Sequence, residues 1–202
     1  MKVRIRVHFE VKPKFGIISL LALLLLAVLF AVLHLDLIHH NISSIHMLIT
    51  SPAFNDGDLI PAKFTCDGGD INPELQIQNV PAAAKSLALV LHDPDAPVRN
   101  GFTHWIVWNI GPSTALIKQE SVPPGSTEGR NDAGRNNYVG PCPPASPQLQ
   151  RGDPAGTHHY HFQLYALDEK LDLPAETDKD GLEKAMAGHI VEQAELVGLY
   201  RR

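Results

Sequence analysis

An almost unbroken apolar run from Ile17 to Leu33, interrupted only by Ser19, opens the chain and has no polar face. Such a run predicts a helix that is hydrophobic all round. At about 1.5 Å per residue it rises roughly 25 Å, close to a ~30 Å hydrocarbon core, and extension to Ile38 covers the difference. Lys2, Arg4, Arg6, Lys12 and Lys14 precede it against a single Glu10. The expectation is therefore a basic cytoplasmic N-terminus over residues 1–15, a transmembrane signal-anchor helix over 16–38 and a linker over 39–47. No Ala-x-Ala pattern lies between Leu33 and Met47, which favours an uncleaved anchor with the rest of the chain extracytoplasmic, on the periplasmic side in a bacterium. Translation from Met47 would instead leave that remainder in the cytoplasm.

After Met47 the pattern changes. Apolar runs become short: Ser86 to His92, Trp105 to Ile110 and the aromatic-rich His161 to Leu167 read as strands. Proline, glycine, asparagine and aspartate cluster between them at 55–58, 67–73, 94–101 and 123–147. Many short strands divided by turn chemistry imply an antiparallel sheet or sandwich over residues 48–202. One segment reads as a helix, opening at Asp180 and Glu183. Leu182, Met186, His189, Ile190 and Ala194 recur at helical spacing up to Val197, and Gly198 is placed to cap it. The stretch 121–157 is rich in proline and glycine and has no period, which marks a functional or disordered loop.

Charge narrows the partners. Five of the 17 Lys/Arg and two of the 22 Asp/Glu lie before Met47, leaving 12 against 20 in the remainder. So acidic a domain, without a basic stripe, excludes nucleic acid as the expected partner. Two cysteines are too few for a disulfide scaffold and form no metal-type pair. In an oxidising compartment Cys66 and Cys142 could bond; otherwise they are two thiols.

Candidate chemistry sits in four clusters. In Asp93-Pro94-Asp95-Ala96-Pro97 two prolines fix the backbone and withhold two donors, so Asp93 and Asp95 leave a strand end with defined direction. They either wall a pocket or end the strand as an Asx turn. His104 opens the next strand, and simple alternation sets it with Ile106 and Trp108, opposite Trp105 and Val107. Alternation also puts His158, Tyr160, Phe162 and Leu164 on one face, a polar head running into an apolar floor. His159 and His161 fall on the other face at metal-pair spacing, but no nearby carboxylate or cysteine completes a site, and exposure is the expected outcome. The fourth cluster, Gly140-Pro141-Cys142-Pro143-Pro144, is rigid and almost free of donors; the Gly140 and Cys142 N–H groups could face an anion. There is no Gly-x-Ser-x-Gly elbow, and no metal or cofactor is called for.

The order of these motifs carries a resemblance. Asp-Pro-Asp-Ala-Pro, His-Trp entering a strand, Gly-Pro-Cys-Pro-Pro and His-His-Tyr leading to Leu-Tyr-Ala-Leu resemble the phosphatidylethanolamine-binding protein family. The closest likeness is to its bacterial and archaeal Raf-kinase-inhibitor-like branch, whose early loop Cys66–Pro73 resembles. The resemblance covers about residues 48–201 and implies a mainly β fold, an antiparallel sandwich of two sheets with a C-terminal helix. It also implies an anion pocket formed by Asp93, Asp95, His104, Pro141, His158 and Tyr160, to which the reading above adds Gly140. The segment 145–155 and the N-terminal anchor depart from the family pattern. The expected function is non-catalytic binding of a small phosphorylated group, of the phosphoethanolamine head-group type, with the membrane met through the N-terminal anchor. The alternative is a protein-interaction module that inhibits or regulates a protease or kinase through the loops around the pocket.

Overall fold

The structure, a computed structural model, describes residues 16–40, 46–145 and 156–202. The chain divides into two compact units, the second being His46–Arg202. In the first, α1 spans Gly16–His40. The expected transmembrane anchor is not upheld: among the described residues no helix is long and apolar enough to cross a membrane. The uninterrupted apolar stretch between Ser19 and His34 rises only about 21 Å, against a ~30 Å hydrocarbon core. In sequence the helix then continues through His34, Asp36, His39 and His40. The basic segment 1–15 and linker residues 41–45 lie outside the described residues.

The second unit is a two-sheet sandwich. β1 (Leu48–Thr50), β2 (Leu75–Gln78) and β5 (Leu116–Ile117) form a three-stranded sheet in the order β1-β2-β5. β3 (Ser86–Asp93), β4 (Phe102–Ile110), β6 (Thr127–Glu128), β7 (His158–Leu167) and β8 (Ile190–Tyr200) form a five-stranded sheet in the order β6-β4-β3-β7-β8. Every pairing of these strands is antiparallel.

β3 and β4 are apolar almost throughout because both faces of the larger sheet are covered. Leu87, Leu89 and Leu91 pack with Trp105, Phe162 and Leu164 against Ile49, Leu75, Ile77 and Ile117 of the smaller sheet. Ala88, Val90, Ile106 and Trp108 point the other way, onto Leu171 and onto Leu182 and Met186 of α2 (Lys179–Met186). Each leucine so enclosed contributes on the order of 2 kcal/mol relative to exposure.

The C-terminal helix is shorter than its hydrophobic spacing predicts. Asp178, not Asp180, caps it: its side chain accepts from the Gly181 N–H at 2.9 Å. The helix ends at Met186, Gly188 follows at φ +88°, and residues 190–200 form β8 rather than a continued helix. Spacing alone suits both forms here. Pairing with β7 from His158 opposite Tyr200 to Leu167 opposite Ile190 decides between them, a tertiary override of local pattern.

One irregularity positions the site. Leu91 pairs with Trp105 while its neighbour His92 pairs with Thr103, so His104 is an extra residue in β4, a β-bulge.

Candidate functional site: a polar-ended cavity at the strand termini

A cavity of about 250 Å³ opens where the end of β3 meets the starts of β4 and β7. Asp93 reaches it from β3, Phe102 and His104 from β4, and His158 and Tyr160 from β7. The β7 residues arrive as alternation requires: His158, Tyr160 and Phe162 are buried in turn, with exposed His159 and half-buried His161 between. Asp93 lies two residues past Leu91 on the same face of β3 and is buried. For His104 the alternation reading is corrected. The bulge turns it to the side of Trp105, where its ring meets Tyr160 edge-on at 5.2 Å and Phe102 at 4.8 Å between centroids.

Hydrogen bonds fix both imidazoles through the same nitrogen. His104 Nδ1 lies 2.8 Å from the Val139 carbonyl, and His158 Nδ1 lies 2.7 Å from Asp93 Oδ2. A carbonyl and a carboxylate only accept, so each Nδ1 carries its hydrogen and donates. The backbone completes the hold on His104: its carbonyl accepts from the Val139 N–H at 3.1 Å and from Asn131 Nδ2 at 3.2 Å. Asp93 Oδ1 accepts from the Asp95 N–H at 2.9 Å. The Tyr160 hydroxyl is buried beside the Asp93 carboxylate, close enough to interact with it, but makes no hydrogen bond of ordinary geometry among the described residues.

Burial shapes the titration of these groups. It pushes His104 below the ordinary imidazole value, with the Val139 carbonyl and the Asp93 carboxylate acting the other way. It pushes the Tyr160 phenol upward, and the nearby Asp93 charge adds to that. The phenol stays protonated throughout the physiological range.

Asp93, His104, Gly140, His158 and Tyr160 thus share one cavity; Asp95 and Pro141 are not on its wall. Asp95 is exposed, and its Oδ2 accepts from the His159 N–H at 2.8 Å and from His159 Nδ1 at 2.7 Å. Partial burial acts upward on its carboxyl, but the bonds from His159 outweigh it and hold that carboxyl below the usual range. The Pro141 carbonyl accepts from the Cys66 N–H at 3.1 Å, tying the proline turn to the early loop. Gly140 lines the cavity, yet its N–H donates to Asp70 Oδ1 at 2.6 Å and is not free for an anion. No larger residue suits this position, since a Cβ would press on the backbone of Phe64 and Thr65. Cys66 and Cys142 are disulfide-bonded, and Cys142, Pro143 and Pro144 form one lip. Outside the cavity His161 pairs with Glu195 at 2.9 Å, and among the described residues no group of three metal-ligating side chains occurs.

The sequence reading missed part of the apolar half of the wall: Val98, Phe102 and Val139. Phe102 was within reach of it, because it sits two residues before His104 and pairs with Asp93. Val98 and Val139 lie in loops, where no periodicity points inward.

Comparison with known proteins places this architecture. The sequence model described as phosphatidylethanolamine-binding protein matches residues 50–201. A UPF0098 protein of Pyrococcus horikoshii is 48% identical over 161 residues, 77% of this chain and 77% of that one. The crystal structure of a phosphatidylethanolamine-binding protein homolog from Chlamydia trachomatis is 39% identical and covers 79% of this chain and 99% of its own, with a TM-score of 0.70. Escherichia coli YbcL, described as a member of the mammalian family, is 28% identical at the same TM-score and covers 78% and 99%. With a family match over three-quarters of its length and the same sandwich in solved relatives, this chain belongs to the phosphatidylethanolamine-binding protein family.

Proposed function

We propose that residues 46–202 form a non-catalytic binding domain whose cavity holds a small anionic or phosphorylated group of the phosphoethanolamine head-group type. Family membership makes this a binding-type protein. The observation that carries the finer reading is the convergence of two Nδ1-anchored imidazoles and a buried phenol beside Asp93 at one end of a single cavity. The apolar end, with Val98, Phe102, Pro143 and Pro144, suits the carbon portion of such a ligand. At about 250 Å³ the space lies below the ~300–1,000 Å³ of drug-sized pockets and fits a head group better than a whole lipid.

Binding without turnover is supported by the wall chemistry. Among the described residues the wall carries no serine, threonine or lysine, and the Cys142 sulfur is held in a disulfide, so none of them offers the imidazoles an activated nucleophile. The bonded cysteines also support an oxidising compartment for the domain.

An amide NMR titration with phosphoethanolamine at pH 6 and pH 8 tests this reading. Saturable shifts confined to Asp93, His104, Gly140 and His158–Tyr160 are the expected result. No shifts at millimolar ligand, or unchanged affinity in a His104→Ala, His158→Ala double variant, would remove its basis.

A further inference from the structure

The inference that follows rests on the anion-binding reading and concerns protons. Three donors on the polar wall of the cavity are already engaged. The Nδ1–H of His104 goes to the Val139 carbonyl and that of His158 to Asp93. The Gly140 N–H goes to Asp70. What remains is the Cys142 N–H at the lip, the Tyr160 hydroxyl beside Asp93 and, on each imidazole, an Nε2 with no partner among the described residues. Asp93 adds a buried negative charge. A fully ionised anion entering this site would meet the Asp93 carboxylate and two Nε2 atoms, against the Tyr160 phenol and the Cys142 N–H as donors. Such a set repels it, because charges and lone pairs are poorly screened away from water.

One added proton reverses the balance. On Nε2 it turns an acceptor into a charge-assisted donor and gives the anion a cation to face. His158 is the better carrier. Its Nδ1 partner is a carboxylate, which stabilises an imidazolium, whereas the Nδ1 partner of His104 is a neutral carbonyl. The surroundings agree. Facing His158 are Asp93 and Asp95 at the end of β3, Tyr160 on its own strand and Tyr200 on β8, whose hydroxyl is taken up by Asp67. Facing His104 are Asp93 and His92 of β3, Asp132 in the loop after β6, and Tyr160, and burial works against a second proton on its ring. We propose that the cavity takes up an anion together with one proton, carried on His158 Nε2, so that it is a proton–anion co-binding site.

The test is calorimetric and uses the full chain. Sulfate is the first probe, because it stays fully ionised and any proton it brings in must reside on the protein; phosphoethanolamine is the second. Titrations at pH 8 in three buffers of different ionisation heat should show close to one proton absorbed per sulfate bound. With one proton absorbed per anion, affinity for sulfate at pH 8 and above should fall about tenfold per pH unit. Histidine ring NMR should show His158, not His104, becoming imidazolium on binding. In His158→Gln, sulfate uptake of protons should vanish with the pH dependence. Sulfate bound at pH 8 with no proton absorbed, or a His104 imidazolium, would overturn the proposal while leaving anion binding intact. No binding of either probe from pH 5.5 to 8 would instead defeat the anion reading itself, and the proposal with it.

Discussion

His104 and Val139 are joined by two reciprocal hydrogen bonds: the ring Nδ1–H donates to the Val139 carbonyl at 2.8 Å, and the Val139 N–H donates to the His104 carbonyl at 3.1 Å. The pair locks a bulged residue of β4 to the loop that continues into the proline lip. It also sets the pH response of the fold. Burial lowers His104 below its ordinary value, and His92 is lowered as well, by burial first and then by Lys179. As pH falls through about 6.5 the unfolded chain binds protons at these positions and the folded chain does not, so stability falls with it. The loss levels off once pH drops below the folded values. Urea unfolding at pH 7.5 and 5.5 should show lower stability at the acid value, with a smaller drop in His104→Gln. An equal drop in the variant would assign the effect elsewhere.

Tyr160 separates binding from folding. Its hydroxyl is buried beside Asp93 without a hydrogen bond of ordinary geometry, and a buried hydroxyl left unsatisfied costs roughly 1–3 kcal/mol, which that neighbour offsets only in part. Tyr160→Phe should therefore leave the free protein as stable as before, or more stable by up to about 1 kcal/mol. The same change should weaken phosphoethanolamine binding by roughly tenfold, the worth of one hydrogen bond to a charged group. Thermal unfolding and a binding titration on one sample read both quantities. A destabilised variant with unchanged affinity would mean that the phenol serves the core and not the ligand.

The Cys66–Cys142 bond closes a long loop, with a sequence separation of 76. In the chain-entropy account such a closure stabilises by roughly 4–5 kcal/mol. Both cysteines are exposed, so a small dithiol reaches the bond in the folded protein. Reduction, or a Cys66→Ser, Cys142→Ser double variant, should lower the urea midpoint markedly. The lip keeps two other ties, from Cys66 N–H to the Pro141 carbonyl and from Gly140 N–H to Asp70. The reduced protein should accordingly stay folded at 25 °C. Coincident midpoints for reduced and oxidised protein would show that the unfolded chain is already constrained.

The sandwich and most of the cavity were legible in the sequence because period-2 burial is a local signal. His158, Tyr160 and Phe162 declare their face by position alone, and Asp93 follows from Leu91 on β3. His104 does not: the bulge that turns it inward depends on how β4 registers against β3, which no single strand reveals. The family resemblance placed His104 where alternation could not. The rigid proline turn suggests that the Gly140 N–H faces an anion; the acceptor that occupies it, Asp70, lies in the early loop far away in sequence. The N-terminal run was read as a membrane span on hydropathy, yet Ser19 and His34 leave too short an apolar length between them.

Gly198 shows how the same residue satisfies two readings and which measurement tells them apart. At the end of an amphipathic run it looks like a helix cap, where a left-handed conformation would favour glycine. In the structure it lies within β8, opposite Tyr160, and is absent from the residues of positive φ. Glycine is required there for space: a Cβ would collide with Ile60 and Phe54, both of which belong to the sandwich core. The loop carrying Ile60 is itself pinned to β8, through Ile60 N–H to the Leu199 carbonyl at 2.7 Å and Leu199 N–H to the Asp58 carbonyl at 2.9 Å. It cannot retreat without losing those bonds. Gly198→Ala should therefore destabilise by about 1–3 kcal/mol, the usual cost of overpacking. A cap glycine would behave differently, losing stability through backbone strain that core truncation cannot relieve. Adding Ile60→Val to Gly198→Ala should restore part of the loss, and strict additivity of the two changes would refute the close-approach account.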